Sequence, residues 1–439
     1  MRDAARPLAA SLLAALWLLE EFHIASGGAR VAAQLSLAVL CVYFVAGFAV
    51  ARTAVRVVAA IALLAAGLLA LQFGIAGSLL SGARSAALFI AFLATMQMLK
   101  VGIELRPGLE RIRREHEALA SREQHDAMLL RSWLAGSIFA AGTLAIVAPL
   151  VGPERAPAER RLLGQSALQG VGLALLWSPF FVAMAVCLKL SAGITLGAAL
   201  ANGVAMALLG LVISHVAFGG RLRAAWVAPL WRVFVATIAM ALAIVVMHRT
   251  LGLSNSEAIV VGVPLVALLT AFQAVKTSPR SVALRWHASL EAIAAEALVV
   301  SASLILGEVI KDLLALGVVR LPAGMLTWPE PFLIVWPALV MVALSVAGFH
   351  PIIGASLLFP LQSSLPMLHP VVAAGSVLTG WMLAILLSTF AVPVMFAATL
   401  FRVAPRELVL GAGLRFALLY TPVAWFYLWI LNFLLGANR

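Results

Sequence analysis

The stretch "LALLWSPFFVAMAV" (173–186) interrupts an apolar run with Ser178-Pro179, and "VAGFHPIIGASLL" (346–358) interrupts another with His350-Pro351. In both, a polar residue that can cap a helix comes directly before proline, whose missing N–H and fixed φ suit the first position of a new helix. We therefore predict that one helix ends before Ser178 or His350 and that a new helix begins after it.

Such a break has functional consequences if it lies at membrane depth. The restarting helix then leaves unpaired N–H groups, and the positive end of its dipole, in a place without competing water. Many transporters hold an anion or a polar substrate in this way. The alternative stays open for either dipeptide alone, namely an ordinary proline kink or a turn at the membrane surface.

The composition predicts a membrane protein. Of the 439 residues, 64% are hydrophobic and only 11% are charged, which is far more apolar than a soluble domain needs. Apolar stretches long enough to cross a bilayer recur, and no soluble segment is long enough to bury its own core. We predict an all-α, polytopic protein with about 11 to 13 membrane segments, in which 1–439 form a single membrane domain.

The charge and the cysteines exclude several other classes. The net charge of +12 comes from basic residues in short linkers between apolar runs, without an aromatic-basic array. Their expected partner is therefore the anionic cytoplasmic leaflet of a lipid bilayer, and no nucleic acid is expected. Cys41 and Cys187 lie in apolar runs without CxxC spacing, so neither a disulfide framework nor a zinc site is predicted.

Two segments bear on topology. The N-terminus has the basic start and apolar run of a signal sequence, but Glu20 and Glu21 interrupt it, so we predict uncleaved anchor helices over 1–52. The stretch "ELRPGLERIRREHEALASREQHD" (104–126) is the most hydrophilic and holds the densest arginine cluster. It predicts an amphipathic helix on the cytoplasmic face, with a plain solvated helix as the alternative.

Weak internal similarity predicts a duplication. "LATMQMLK" (93–100) resembles "LTAFQAVK" (269–276), which aligns Gln97 with Gln273 at an offset of 273 − 97 = 176 residues. The two prolines differ by 351 − 179 = 172 residues, so a gap of four restores the register. We predict repeats over 53–190 and 229–362, followed by C-terminal membrane helices over 368–434. Whether the repeats are parallel or inverted stays open.

Small and polar residues near the breaks are candidates for substrate binding. Small residues let a ligand reach backbone amides, and serine or glutamine can hydrogen-bond a carboxylate, although helix packing in lipid uses the same residues. The candidate substrate-binding residues are Ser178, Pro179, His350, Pro351, Gln97, Gln273, Gln169, Ser345 and Gly354.

Carboxylates in the apolar run 289–316 are candidates for ion coupling. A carboxylate inside a bilayer is costly enough to suggest a function by default, and Glu296 and Glu308 are the residues concerned. Lys311 and Asp312 support a second interpretation, in which this helix end lies at the interface and Lys311 pairs with Glu308. No cofactor and no resident metal are expected, and Na+ or H+ is the candidate coupling ion.

Enzyme signatures are missing from the sequence. It contains no phosphate loop, no GxSxG, no HExxH and no paired cysteines, so we do not expect an enzyme. Two competing classes stay open. One is a membrane-embedded enzyme that acts on lipid-linked substrates, and the other is a non-transporting membrane subunit of a larger assembly.

"GSIFAAGTLAIVAPLVG" (136–152) is similar in pattern to a small-residue hairpin that ends in proline, and "LLWSPFFVAMAV" (175–186) to the broken helix that follows such a hairpin. The charged segment 104–126 is similar in place to an interfacial arm helix. Over about 85–400 the chain thus resembles the ion-transporter superfamily, which includes arsenite, dicarboxylate and tripartite-carrier permeases. Its hairpin tip reads Ala140-Ala141-Gly142-Thr143, where dicarboxylate members carry Ser-Asn-Thr type tips.

The resemblance implies two repeats, each with a re-entrant hairpin followed by a broken helix. Together with the breaks, it predicts a secondary active transporter of the bacterial inner membrane that works by alternating access. The predicted substrate is a small molecule or ion, most simply an anion, because helix N-termini favour negative charge. A second copy of the chain or an accessory subunit is the candidate protein partner.

Overall fold

The computed structural model describes residues 2–104, 118–151, 155–218, 242–244, 246–247, 249–254, 257–264, 278–318 and 323–436. These residues are predominantly helical and contain no strand, which confirms the all-α prediction. The helices are, in chain order, α1 (Arg2–Ala25), α2 (Arg30–Val50), α3 (Thr53–Gln72), α4 (Ala76–Glu104), α5 (Ser121–Phe139), α6 (Thr143–Val147), α7 (Pro157–Leu175), α8 (Val182–Leu190), α9 (Leu196–Phe218), α10 (Pro279–Ala315), α11 (Glu330–Val346), α12 (Pro351–Ser363), α13 (Pro370–Leu387), α14 (Val392–Phe401), α15 (Pro405–Val409) and α16 (Ala412–Gly436).

Eight helical segments in the described part of the chain are long and apolar enough to cross a membrane, which confirms a polytopic membrane protein. They are Ala5–Ala25, Arg30–Val50, Val55–Gln72, Ala76–Met98, Leu196–Ala217, Pro279–Ala315, Pro370–Phe401 and Ala412–Gly436. Most of the interfacial segment predicted over 104–126, and much of the apolar sequence between 219 and 277, lie outside the described residues.

Unit 1 is a compact group formed by Met1–Pro107 and Met240–Val319. Its 37-residue helix α10 packs against α1, α2, α3 and α4. Helices α4 and α10 touch backbone to backbone, because a Cβ on Gly82 would lie 2.8 Å from Cα of Ile305. The Tyr43 hydroxyl of α2 donates a hydrogen bond to the Ala294 carbonyl of α10 at 2.5 Å. Unit 1 is thus a bundle built around one long helix.

Unit 2 is a second compact group, formed by Gly108–Ala239 and Arg320–Arg439. It contains the same sequence of elements twice. A helical hairpin (α5 and α6, or α11 and α12) is followed by a helix broken near its C-terminal end (α7 and α8, or α13 and α14) and then by a long helix (α9 or α16), which the short helix α15 precedes in the second series. The first arm of each hairpin packs on the broken helix that follows it.

Glycines let these helices approach closely in both halves of unit 2. A Cβ on Gly170 of α7 would lie 2.4 Å from the Leu129 carbonyl oxygen of α5. In the second half, a Cβ on Gly380 of α13 would lie 2.8 Å from Cα of Ala338 in α11. Small residues at such crossings are the usual device of helix packing in lipid, where apolar side chains bring little advantage over lipid tails.

Helices are interrupted at both predicted dipeptides. Helix α7 ends before Ser178, and α11 ends before His350. Pro351 takes the first position of α12, as predicted, whereas Pro179 does not begin a helix. Helix α8 begins only at Val182, because the Ser178 carbonyl accepts the Phe181 N–H in an intervening turn.

The two interruptions differ in kind. The first divides one broken helix, while His350-Pro351 joins the two arms of a hairpin. The second broken helix is instead interrupted at Ser388, between Leu387 and Val392. The described residues therefore display similarity between 121–190 and 330–401. The repeats predicted over 53–190 and 229–362 stay predictions, because parts of both lie outside the described residues.

Gly170→Ala should lower the free energy of unfolding by about 1–3 kcal/mol, because the new methyl group must separate α5 from α7. Thermal unfolding of the purified protein in detergent measures this. Gly67→Ala is the matched control. Gly67 lies inside α3, and its Cβ would meet no atom within 4 Å, so alanine should stabilise the helix by roughly 0.5–1 kcal/mol. Equal effects of the two changes would contradict the packing described for α5 and α7.

Candidate functional site

Ser178 ties the first helix break to the first hairpin. Its hydroxyl donates a hydrogen bond to the Ser137 carbonyl of α5 at 2.5 Å and accepts one from the Phe180 N–H at 3.1 Å. The Ser178 side chain is fully buried. One hydroxyl therefore satisfies a donor of the unwound segment and a carbonyl near the end of the hairpin arm.

Ser388 has the same geometry in the second half. Its hydroxyl donates to the Ser345 carbonyl of α11 at 2.6 Å and accepts from the Phe390 N–H at 3.2 Å. In the opposite direction, the Ser345 hydroxyl donates a hydrogen bond to the Ala384 carbonyl of α13 at 3.3 Å. We call the pairs Ser178–Ser137 and Ser388–Ser345 the serine clasps. They correspond at offsets of 388 − 178 = 210 and 345 − 137 = 208 residues.

A short motif accompanies both clasps. The sequences "SPFFV" (178–182) and "STFAV" (388–392) share the pattern Ser-x-Phe-x-Val. Serine at the first position bonds the N–H two residues on, as Ser and Thr do in tight turns, and valine at the fifth position begins the next helix. This pattern, rather than the prolines, identifies the equivalent breaks in the sequence.

The two broken helices meet beside their breaks. Helices α7 and α13 pack together, and a Cβ on Gly172 would lie 3.2 Å from the Leu386 side chain. The packing also crosses between the two halves, because α12 packs on α8 and α6 packs on α14. Each hairpin therefore contacts the broken helix of the other half as well as its own, and the breaks and hairpin ends form one continuous region of unit 2.

Some polar groups in the first half of this region lack the partner that an unbroken helix would provide. The Leu175 carbonyl has no donor four residues on, because Pro179 lacks an N–H, and the Phe180 N–H is held by Ser178. The Thr143 hydroxyl, at the start of α6, is buried and has no hydrogen-bond partner in the described part of the chain. Helices α8, α12 and α14 begin at the breaks or at the hairpin tip, so their positive ends lie there as well.

His350 caps the second hairpin arm. Its Nδ1 accepts a hydrogen bond from the Ile352 N–H at 3.3 Å, so Nδ1 carries no proton in this arrangement. The neutral ring then carries its hydrogen on Nε2, which is a donor that the cap does not use. His350 itself is half-buried, and the adjacent Phe349 is 41% exposed.

The two breaks differ in exposure. All residues from Leu176 to Phe181 in the first break are buried. In the second break Ser388 is buried but Phe390 is 66% exposed, and at the second hairpin tip Gly348 and Phe349 are exposed. The second half of the region is thus more exposed than the first.

Other predicted site residues of unit 2 have structural contacts. Gln169 of α7 donates a hydrogen bond to the Ser214 hydroxyl of α9, so it joins two helices. Gly354 of α12 lets the hairpin arms approach, because a Cβ there would lie 2.7 Å from Sδ of Met341. Both residues are buried close to the breaks.

The remaining predicted residues belong to unit 1 or lie outside the described part. Gln97 is half-buried on α4, and Gln273 lies outside the described residues. Glu308 of α10 is buried, forms an ion pair with Lys311 and accepts a hydrogen bond from the Ser85 hydroxyl at 3.4 Å. Glu296 is exposed on the same helix.

Sequence reasoning missed two elements of the region. Ser388 lacks a following proline, so only the shared Ser-x-Phe-x-Val pattern could have revealed it. His369-Pro370 repeats the His-Pro dipeptide, and the Nδ1 of His369 caps α13 by accepting the Val371 N–H at 3.3 Å. A repeated His-Pro pair was therefore a signal for helix starts.

The hairpin tip of the first half is strained. Ala140 has φ 49° and ψ −130°, a backbone conformation that suits glycine far better than a residue with a Cβ. Strain of this kind costs on the order of 1–3 kcal/mol and tends to occur at ligand sites. The corresponding tip in the second half has glycine at its left-handed position, Gly348, with φ 94°.

No family model matches the chain, and comparison with curated proteins finds no similar sequence. Among the described residues, no group of three or more His, Cys, Asp or Glu side chains has the arrangement of a metal site. The assignment of a function therefore depends on the geometry of unit 2.

Ala140→Gly should raise the free energy of unfolding by about 1 kcal/mol, because glycine adopts this conformation without strain. Ala65→Gly, inside helix α3, provides the control of opposite sign and should lower stability by roughly 0.5–1 kcal/mol. Thermal unfolding in detergent compares the two variants with the unchanged protein. Destabilisation by Ala140→Gly would contradict the strained tip.

Proposed function

We propose that the protein is a secondary active transporter of the bacterial inner membrane rather than an enzyme. It moves a small, anionic solute by alternating access, uses an H+ or Na+ gradient and needs no cofactor. The two serine clasps carry this proposal, because matched hairpins and matched broken helices meet in one region of unit 2. Paired discontinuous helices of this kind are a recurring basis of solute binding in secondary transporters.

The proposed solute is an anion because of the charges that the breaks supply. The unwound segments 176–181 and 388–391 contain no ionisable side chain, so helix ends and hydroxyl groups determine the local polarity. The N-terminal ends of α8, α12 and α14 offer partial positive charge, and the half-buried ring of His350 offers a neutral donor. A carboxylate or an inorganic oxyanion fits these donors.

Alternating access is supported by the difference between the halves. One break is closed and the other is partly exposed, although the clasps are the same. In carriers with internal repeats, alternating access is largely a movement of one repeat against the other around a fixed site, and two similar halves that contact each other at their breaks fit that arrangement. The resemblance to the ion-transporter superfamily, with its hairpins and broken helices, supports the same architecture but no particular substrate.

Ser178→Ala and Ser388→Ala should each reduce transport roughly fivefold to tenfold. Each change frees a hairpin carbonyl and a backbone N–H at a break, and the lost bond is worth about 1 kcal/mol or more. Uptake into proteoliposomes of labelled carboxylates, phosphate and sulfate, with an imposed H+ or Na+ gradient, measures the effect.

Ser289→Ala is the control for the clasp variants. The Ser289 hydroxyl donates only to the Trp286 carbonyl of its own helix in unit 1, so its loss should leave transport unchanged. Equal flux in all three variants, with folding confirmed by thermal unfolding, would remove the breaks from the site.

His350→Asn should lower transport while it preserves the fold. Asparagine keeps an acceptor for the Ile352 N–H but removes the Nε2 donor at the hairpin tip. His369→Asn is the comparison variant at the start of α13, where the Nδ1 cap has the same length and no break adjoins it. Uptake assays should separate the two variants, and equal flux through both would exclude His350 as a solute ligand.

A further inference from the structure

Two carboxyl groups lie on the apolar part of α10, and their separation along the helix limits where each can lie across the membrane. Glu296 and Glu308 are 308 − 296 = 12 residues apart, or about 18 Å along the helix axis. The hydrocarbon layer is about 30 Å thick, so the two groups cannot lie beyond its opposite boundaries. Lys311 and Asp312 fix the boundary, because their burial in lipid would be costly. With Lys311 at that boundary, Glu296 lies about 22 Å from it along the helix and therefore about 8 Å inside the opposite boundary of the hydrocarbon.

The two carboxyl groups differ in their hydrogen-bond and ion-pair partners. Glu308 is 1% exposed, and the ammonium group of Lys311 and the Ser85 hydroxyl both bind its carboxylate. Its charge is therefore compensated in place. Glu296 is exposed, and no hydrogen bond or ion pair to its carboxyl is present among the described residues. An uncompensated carboxylate at this depth is far less stable than the neutral acid.

The helices that pack on α10 offer few groups that could compensate Glu296. The Tyr43 hydroxyl of α2 reaches α10 two residues before Glu296, but it donates its hydrogen bond to the Ala294 carbonyl. Arg56 of α3 donates to the Ala49 carbonyl, Arg84 of α4 is exposed, and Ser11 of α1 reaches His287, whose ring also faces Glu291. The other acidic groups with described side chains on the packed helices are Glu20 and Glu21, near the end of α1.

A second polar group lies on the same face of α10. Ser303 follows Glu296 by seven residues, which is two turns of the helix, and its hydroxyl is buried without a partner in the described part of the chain. An unpartnered hydroxyl at this depth is costly unless water or another polar group reaches it. The face that carries Glu296 thus has two polar groups in sequence along the membrane axis.

We propose that Glu296 is a reversible proton-binding site, neutral when its surroundings are apolar and ionised when water reaches its exposed face. Proton binding at Glu296 does not depend on the proposed transport function. Its consequence, that H+ is the coupling ion, rests on that function. Glu308 differs from Glu296 in its contacts, because Lys311 and the Ser85 hydroxyl both bind its carboxylate.

Modification by a hydrophobic carbodiimide tests the proposal on the unchanged protein. Carbodiimides add to protonated carboxyl groups in apolar surroundings, and mass spectrometry of peptides locates the adduct. In proteoliposomes between about pH 5 and about pH 9, we expect an adduct on Glu296 that falls roughly tenfold per pH unit above its titration midpoint. Glu308 is the internal control and should remain unmodified.

The absence of an adduct on Glu296 at every pH would overturn the proposal, and so would modification that does not vary with pH.

Glu296→Gln, which retains the shape of the neutral acid, should unfold at an unchanged temperature and lose the adduct. It should also lose acceleration of uptake by a proton gradient, while solute exchange without a gradient persists. Because labelling requires no known solute, its failure is distinguishable from a failure of the clasp variants in uptake assays.

Discussion

The architecture of unit 2 depends on one constraint, which is that backbone groups freed by unwinding a helix in an apolar interior must find partners. An unsatisfied N–H or C=O costs several kcal/mol in hydrocarbon, so unwound segments occur there only where the protein supplies polar groups. The serine clasps supply them with one hydroxyl per break, as acceptor for the local N–H and donor to the hairpin. This bond fixes each hairpin arm beside its break.

The same constraint explains why the unwound segments at the two breaks contain no charged side chain. A buried charged side chain would need a partner of its own, whereas a serine hydroxyl is neutral and occupies little space. Glycines complete the arrangement by letting the hairpin arm contact the broken helix backbone to backbone, at Gly170 and at Gly380. Local unwinding and close packing are therefore linked, since the hydroxyl can reach the carbonyl only if the helices are near each other.

The sequence predicted the helical class, the first break and the start of α12, because apolar length and proline act locally. It did not reveal that Ser178 corresponds to Ser388. That equivalence depends on bonds between residues 41 and 43 positions apart, and its local signal in the sequence is the short Ser-x-Phe-x-Val pattern. At the second dipeptide, proline predicted the helix start correctly, but the sequence alone did not decide whether that helix is a hairpin arm or the second half of a broken helix.

We assign solute binding to the breaks of unit 2 and proton binding to Glu296 of α10. Because these are separate sites, the coupling between them must follow thermodynamic linkage. Coupling between two sites requires that each ligand favour the same conformational state, whatever the distance between them, and the effect is reciprocal. If a proton on Glu296 favours the state with one break open, solute at that break must in turn raise the affinity of Glu296 for protons. The unwound segments 176–181 and 388–391 contain no titratable side chain, so these segments do not respond to pH in competition with Glu296.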